Sequence, residues 1–477
     1  MTDSAGAETH AFETLGIAPV PPGERNMRAG SLFVIWGLAS ASATTPVIGL
    51  VLKGVGLSNF VWLNLLALLV GLVPSMLLAH MGRQVPIISM VMARRTYGIG
   101  GATLLAALYT IVGAGWFGLN TDVGGQILGA IFPGYGMMWY VILGIVQIAL
   151  VFFGMDVLEK FYNYTAVVFL LCYAVLAYYL FTRYSFAMPV DEGAVDWGRD
   201  IDLILSFSLL AWAYIFPTVT RFCPPTSPAE KSLSRALYML APSVGVMAAV
   251  LFMGALGLIA LRMTGDWNIA MLGKSLPVWG EISAIGVILA IAHCNAMNLY
   301  PAVTSLLAVV NAAGERSHRL LQPSLVIVLG IFATVLAILG ILGFIEGFLS
   351  LLGSLLFPFT FILVVDWFHA RYYAEPVALF YRRATQFTEW FSWPAPWAIT
   401  MLIVGVFLGQ SGHLLPAFAA RFIPWQVCSA LLVTIVYYLG LRIASRGPEI
   451  GPGSPSLYSA GFPRQSTAPR SPPPMKV

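Results

Sequence analysis

Apolar residues in this chain come in blocks rather than alternating with polar ones. Blocks of about 20 mostly apolar residues run near 31–52, 58–81, 101–132, 136–156, 160–182, 201–220, 236–263, 281–311, 323–345, 348–369, 395–411 and 425–444. A helix of that length spans the hydrocarbon of a bilayer and pairs its own backbone where no water is available. Segment 183–200 is a polar loop carrying Asp191, Glu192, Asp196 and Asp200, and the chain after Arg446 is rich in Pro, Ser and Gly. The pattern predicts an all-α membrane protein of twelve transmembrane helices. It divides into a cytoplasmic tail 1–30, helices 1–5 over 31–182, a loop 183–200 on the far side and helices 6–10 over 201–370. Helices 11 and 12 follow over 395–444, then a disordered cytoplasmic tail over 445–477.

Composition and charge sharpen this picture. Of 477 residues, 58% are hydrophobic and 10% charged, against roughly 25% charged in a soluble domain. A mean hydropathy of +0.83 leaves too little polar surface for a chain folded in water. If the N-terminus is cytoplasmic, 19 of the 25 lysines and arginines fall in inside segments and 6 in outside ones. That bias supports the span order and an inner-membrane location with both termini inside. The stretch Met1–Gly30 is polar and argues against a signal peptide. The net charge is +4, and its carriers are scattered singly, which offers no face for a nucleic acid. Four cysteines lie far apart without metal-ligand spacing, so no metal and no cofactor are expected.

Two spans carry helix-breaking sequence. The first reads Trp36-Gly-Leu-Ala-Ser40-Ala-Ser42-Ala-Thr44-Thr45-Pro46 and the sixth Ala211-Trp212-Ala-Tyr214-Ile-Phe-Pro217-Thr218. Proline removes a backbone donor and clashes with the preceding turn. The two spans are five apart, as two inverted five-helix repeats would place them, and such paired breaks mark binding sites near the midplane. Simple kinking by proline is an equally open reading.

Trp116 and Asn120, four residues apart, share one face of the third span. Trp116 lies roughly 22 Å along that helix at 1.5 Å per residue, deep for a residue usual at the interface. Asn295 and Asn298 sit mid-span at i and i+3. Amides in hydrocarbon must meet a neighbouring helix, water or a ligand. Indoles to stack on a ring and carboxamides to pair with its edge suit a planar neutral heterocycle, with no fixed charge required.

At these residues the sequence resembles the nucleobase–cation symporters, in the cytosine/purine permease branch. The resemblance is carried by Gly16-Ile-Ala-Pro19-Val-Pro21-Pro-Gly-Glu24-Arg25, by Trp36 with the break after it and Gly49, and by Met90-Val-Met-Ala-Arg94-Arg95-Thr-Tyr97-Gly98. It continues through Gly115-Trp116-Phe117-Gly118-Leu-Asn120, Arg221-Phe222, Asn295-Ala-Met-Asn298-Leu-Tyr300 and Asp366, over about residues 14–445. It implies a leucine-transporter-type fold: a 5+5 inverted repeat with broken helices 1 and 6, plus two extra C-terminal helices. The implied activity is secondary active import of a nucleobase such as cytosine or a purine. The implied site has Trp116 and Trp212 sandwiching the ring, Asn120 and Asn298 on its edge, and Ser40 nearby, with Asn295 beside Asn298.

The sequence departs from the family pattern in places. Many members carry aspartate where this chain has Thr218. Sodium-coupled members place hydroxyls on helix 8 where this chain has His293 and Cys294, poor ligands for a hard cation. Asp122 and His293 are therefore the candidate coupling residues, with H+ the expected ion and Na+ the alternative. Thr121-Asp122-Val-Gly-Gly resembles hydantoin-type relatives, so hydantoin, allantoin, uracil and a vitamin such as thiamine stay open as cargo. No catalytic constellation is visible, which argues against an enzyme. The expected partners are a small nucleobase-like solute and the lipid bilayer; the oligomeric state is left open.

Overall fold

The computed structural model describes residues 15–275, 277–312, 320–381 and 387–444. Both tail ends, including the segment 445–477 expected to be disordered, lie outside the described residues. Among the described residues all regular structure is helical. Helices fill the blocks in order: α1a (Ala29–Ser40), α1b (Val47–Val51), α2 (Leu57–Gln84), α3 (Arg94–Ile131), α4 (Met138–Phe152) and α5 (Met155–Arg183). Span 6 is built from α6a (Trp197–Phe207), α6b (Leu209–Ala213) and α6c (Phe216–Thr220). Then come α7 (Ser232–Thr264), α8 (Pro277–Val310), α9 (Leu321–Ile338), α10 (Ile345–Ala370), α11 (Ala395–Gln410) and α12 (Trp425–Ala444). Ten of these spans are long and apolar enough to cross a membrane among the described residues, while α1a and α4 are shorter apolar helices.

The bundle turns apolar side chains outward as well as inward. Leu69, Val73, Ile111 and Leu171 are each more than 60% exposed. Such a surface is a liability in water and matches lipid tails. Span 6 is the most enclosed, and α3 packs along α8 while α1a packs along α7. The helices that carry the sequence-predicted site thus form the middle of the bundle.

Both breaks are real, but proline acts differently from expectation. In span 1 the helix ends at Ser40, Ala41 leaves helical geometry (φ −84°, ψ 43°), and Pro46 caps α1b. Hydroxyls take over the freed backbone groups: Thr45 Oγ1 donates to the Ser40 carbonyl at 2.5 Å, and Ser42 Oγ accepts from the Thr44 amide at 3.2 Å. In span 6 the chain breaks at Ser208 (φ −123°, ψ −103°), whose hydroxyl donates to the Ile204 carbonyl, and the helix is interrupted again, more mildly, at Tyr214–Ile215 within the expected run. Pro217 opens α6c within its first turn, where a missing N–H costs little.

Close backbone packing holds the first break in place. A Cβ on Gly257 of α7 would collide with the Pro46 backbone, 2.7 Å from its Cα. Gly257→Val is therefore expected to cost about 1–3 kcal/mol of stability, read as a lower melting temperature in detergent with no ligand present. An unchanged melting temperature would mean that α7 and α1b are free to separate.

One end of the bundle is closed by residues 15–28, the stretch that carries the first family motif. The Gly16 amide donates to Gln322 Oε1 at 2.8 Å, the Val20 amide to the Pro86 carbonyl at 3.0 Å and the Met27 amide to the Phe222 carbonyl at 3.1 Å. Tyr381 donates to the Ile17 carbonyl at 2.5 Å. Arg25 donates to the carbonyls of Arg221, Cys223 and Arg83 at 3.2, 3.1 and 2.7 Å. This strap ties together the ends of α2, α6c and α9.

Candidate functional site

The two breaks and the α3–α8 pair enclose one cavity. The span 1 break contributes Ser40, Ser42 and Thr44; α3 contributes Gly113, Trp116 and Asn120. Span 6 adds Phe207, Trp212 and Tyr214, and α8 adds Cys294, Met297 and Asn298. No charged side chain lines it. Its volume is about 30 Å³, room for about two waters, so a heterocycle would enter only as the side chains part. On α3, Gly113 lets α8 approach: a Cβ there would lie 2.9 Å from the Asn298 carbonyl.

Trp116 and Trp212 are half-buried at this cavity. Phe207 and Phe348 meet the Trp116 ring edge-on, at centroid distances of 5.7 and 5.3 Å and interplanar angles of 82° and 68°. Trp212 leans on Trp36 at 5.6 Å, and Trp36 in turn packs on Phe216 at 4.6 Å. Each indole is therefore braced before any ligand arrives.

The amides are oriented just as firmly. Asn120 Nδ2 donates to the Trp116 carbonyl at 2.7 Å, and Asn120 Oδ1 accepts from the Ser42 hydroxyl at 2.5 Å. Ser42, two residues beyond the expected Ser40, is thus the hydroxyl that touches Asn120, while Ser40 lines the same wall. Thr44 Oγ1 is buried there without a hydrogen-bond partner among the described residues. Asn298 faces the cavity, whereas Asn295 is fully buried behind it.

The structure places both candidate coupling residues outside the cavity lining. Asp122 accepts from Gln126 Nε2 at 2.8 Å and from the Tyr140 hydroxyl at 3.3 Å, on the side of α4. His293 is fully buried against α5: its Nε2 lies 2.7 Å from Thr165 Oγ1, and its ring packs on Phe161 and Tyr162 at 4.9 and 5.0 Å. Tyr162 also donates its hydroxyl proton to the His293 carbonyl. Among the described residues no cluster of three or more His, Cys, Asp or Glu could hold a metal ion.

Residues 19–433 match the family described as permease for cytosine/purines, uracil, thiamine, allantoin. The chain belongs to this family. It is a multi-pass membrane transporter and not an enzyme. The permease is 24% identical over 372 residues to a putative purine-cytosine permease of Bacillus subtilis, covering 74% of this chain and 78% of that one. It is also 24% identical over 398 residues to a hydantoin permease of Microbacterium maritypicum, covering 78% and 79%. Among solved structures, a nucleobase-cation-symport-1 family transporter in a closed conformation with bromovinylhydantoin bound superposes with a TM-score of 0.74. That likeness, at 18% identity over 94% of this chain and 98% of the other, shows the fold: the permease has the leucine-transporter-type architecture.

Sequence reasoning about the permease did not single out Ser42 in the cavity wall, nor Thr121 and Gln147, which meet Asn295 behind it. The last carried a usable signal, because Gln147 is the lone amide in the apolar run Met138–Phe152, and an isolated polar group at membrane depth calls for a partner.

Proposed function

We propose that the permease imports a nucleobase such as cytosine or a purine by alternating access, across the plasma membrane and with both termini cytoplasmic. The observation that carries this reading is one uncharged cavity with two braced indoles, Trp116 and Trp212, and two oriented amides, Asn120 and Asn298. Ring faces stack on indole and edge groups pair with carboxamides, while a charged solute would find no counter-charge. The test is ligand-induced stabilisation of purified protein by cytosine, adenine, hypoxanthine, uracil, allantoin, benzylhydantoin and thiamine. One nucleobase is expected to raise the melting temperature. Stabilisation by thiamine alone, or by nothing in the set, would end this reading. A hydantoin cargo is the second reading, favoured by the Thr121–Gly125 stretch, and the same panel separates the two.

We further propose coupling to protons, a reading supported by the residues at the helix 8 position. His293 stands where sodium-coupled relatives carry hydroxyls, and it bridges α8 to Thr165 and the aromatic rings of α5. Protonating it would put a charge into that apolar contact and change how α5 meets α8. Asp122 is the second carrier. Uptake into vesicles should collapse with a protonophore and survive replacement of sodium by choline; the opposite pattern assigns sodium.

A further inference from the structure

Behind the cavity wall, amides from two helices are chained together. Asn295 Nδ2 lies 2.9 Å from the Phe117 carbonyl, 2.6 Å from Gln147 Oε1 and 3.0 Å from Thr121 Oγ1. A backbone carbonyl can only accept, so the amide nitrogen must be on that side. Asn295 Oδ1 is then left to accept from Asn298 Nδ2, at 3.0 Å. With that nitrogen turned back toward Asn295 and toward Cys294 Sγ at 3.6 Å, the Asn298 oxygen is the amide atom left for the cavity.

Gln147 makes the shortest of the bonds that start this chain, yet it does not line the cavity. It is fully buried, and its own Nε2 has no hydrogen-bond partner among the described residues. A buried donor left without a protein partner calls for an explanation beyond packing.

We propose that Gln147 is a positioning residue that sets the selectivity of the cavity. Acting through Asn295, it holds the Asn298 amide with its oxygen toward the ligand, so the site takes heterocycles that present an N–H donor on that edge. Those whose edge offers only acceptors are rejected, because two acceptors then face each other without a proton between them. This inference rests on the reading of the cavity as a heterocycle site.

The test compares purified wild type with Gln147→Met, which keeps volume and removes the acceptor. The probes are pairs differing in the edge donor: uracil and 3-methyluracil, hypoxanthine and 1-methylhypoxanthine, cytosine and N4,N4-dimethylcytosine. Wild type is expected to prefer the N–H member of the pair it binds, and Gln147→Met to reduce that preference about tenfold by weakening the N–H member alone. In an Asn298→Ala background the same substitution should add less than twofold, since its route to the ligand is gone. Thr121→Val, which removes a longer bond to the same nitrogen, should act in the same direction and more weakly, and it serves if Gln147→Met does not fold. Equal weakening of both members, or full additivity with Asn298→Ala, would reduce Gln147 to packing and overturn the proposal. If wild type binds and Trp116→Ala weakens binding while Gln147→Met keeps the wild-type preference, the inference alone fails. If wild type binds no member of any pair and none of the other planar heterocycles of the panel, the heterocycle reading fails with it.

Discussion

Replacing Trp116 by alanine should weaken binding of the proposed heterocyclic solute by about 5- to 150-fold. Stacking of a base on an aromatic ring is worth about 1–3 kcal/mol by alanine substitution, and each 1.4 kcal/mol is about tenfold in affinity. The upper part of that range is expected here, because Phe207 and Phe348 contact Trp116 edge-on and hold its ring before the ligand arrives. A braced ring loses little freedom on binding, so more of the stacking energy remains as affinity. Trp116→Phe should retain most of the binding. Trp212→Ala should weaken binding comparably and also lower the stability of the unliganded protein, because Trp212 supports the fully buried Trp36. Titration calorimetry on the purified permease measures the change. A Trp116→Ala affinity within threefold of wild type would place the ring elsewhere.

The parts of this molecule that were legible in its sequence are those set by the bilayer. Membrane thickness dictates block length, so the blocks could be counted and the helices fall in them. Backbone detail was less visible. Pro217 drew attention in span 6, and the helix is indeed interrupted at Tyr214–Ile215 just before it, but the larger departure from helical geometry is at Ser208, whose hydroxyl satisfies the turn it interrupts. Spacing placed Trp116 and Asn120 on one wall because four residues are nearly one full turn. It could not separate Asn295 from Asn298: three residues leave side chains about 60° apart, enough to aim one at α3 and α4 and the other at the cavity. The residue types Asp122 and His293 signalled function at membrane depth, but Asp122 is tied to Gln126 on its own helix and to Tyr140 of α4, and the neighbours of His293 come from α5, far away in the chain. Gln147 belongs to the same class of signal.

Arg221→Met should expose Cys223 to thiol reagents at least tenfold faster than in wild type. Arg221 is fully buried, and its guanidinium donates to the carbonyls of Thr218 at 3.1 Å, Ala18 at 3.3 Å and Gly16 at 3.4 Å, and to the Tyr300 hydroxyl at 3.0 Å. It thereby joins the strap of residues 15–28 to the end of α6c and to α8. Methionine keeps most of the volume and removes every donor. Hydrogen bonds to a charged group contribute about 1.5–3 kcal/mol each, and contacts made only with this end closed bias the closed state by their own free energy. Losing even one net bond of that size shifts the open population by about tenfold or more. Cys223 is a built-in reporter: its side chain is fully buried, and its carbonyl is one of those bound by Arg25. The measurement is the rate of N-ethylmaleimide labelling with Cys172, Cys294 and Cys428 replaced. A second variant keeping only Cys172, buried within α5, distinguishes opening at this end from loosening throughout, since only the latter would speed its labelling too. If Arg221→Met leaves Cys223 as slow as wild type, the strap rests on this end without holding it shut, and closure comes from apolar packing of α6c against α2.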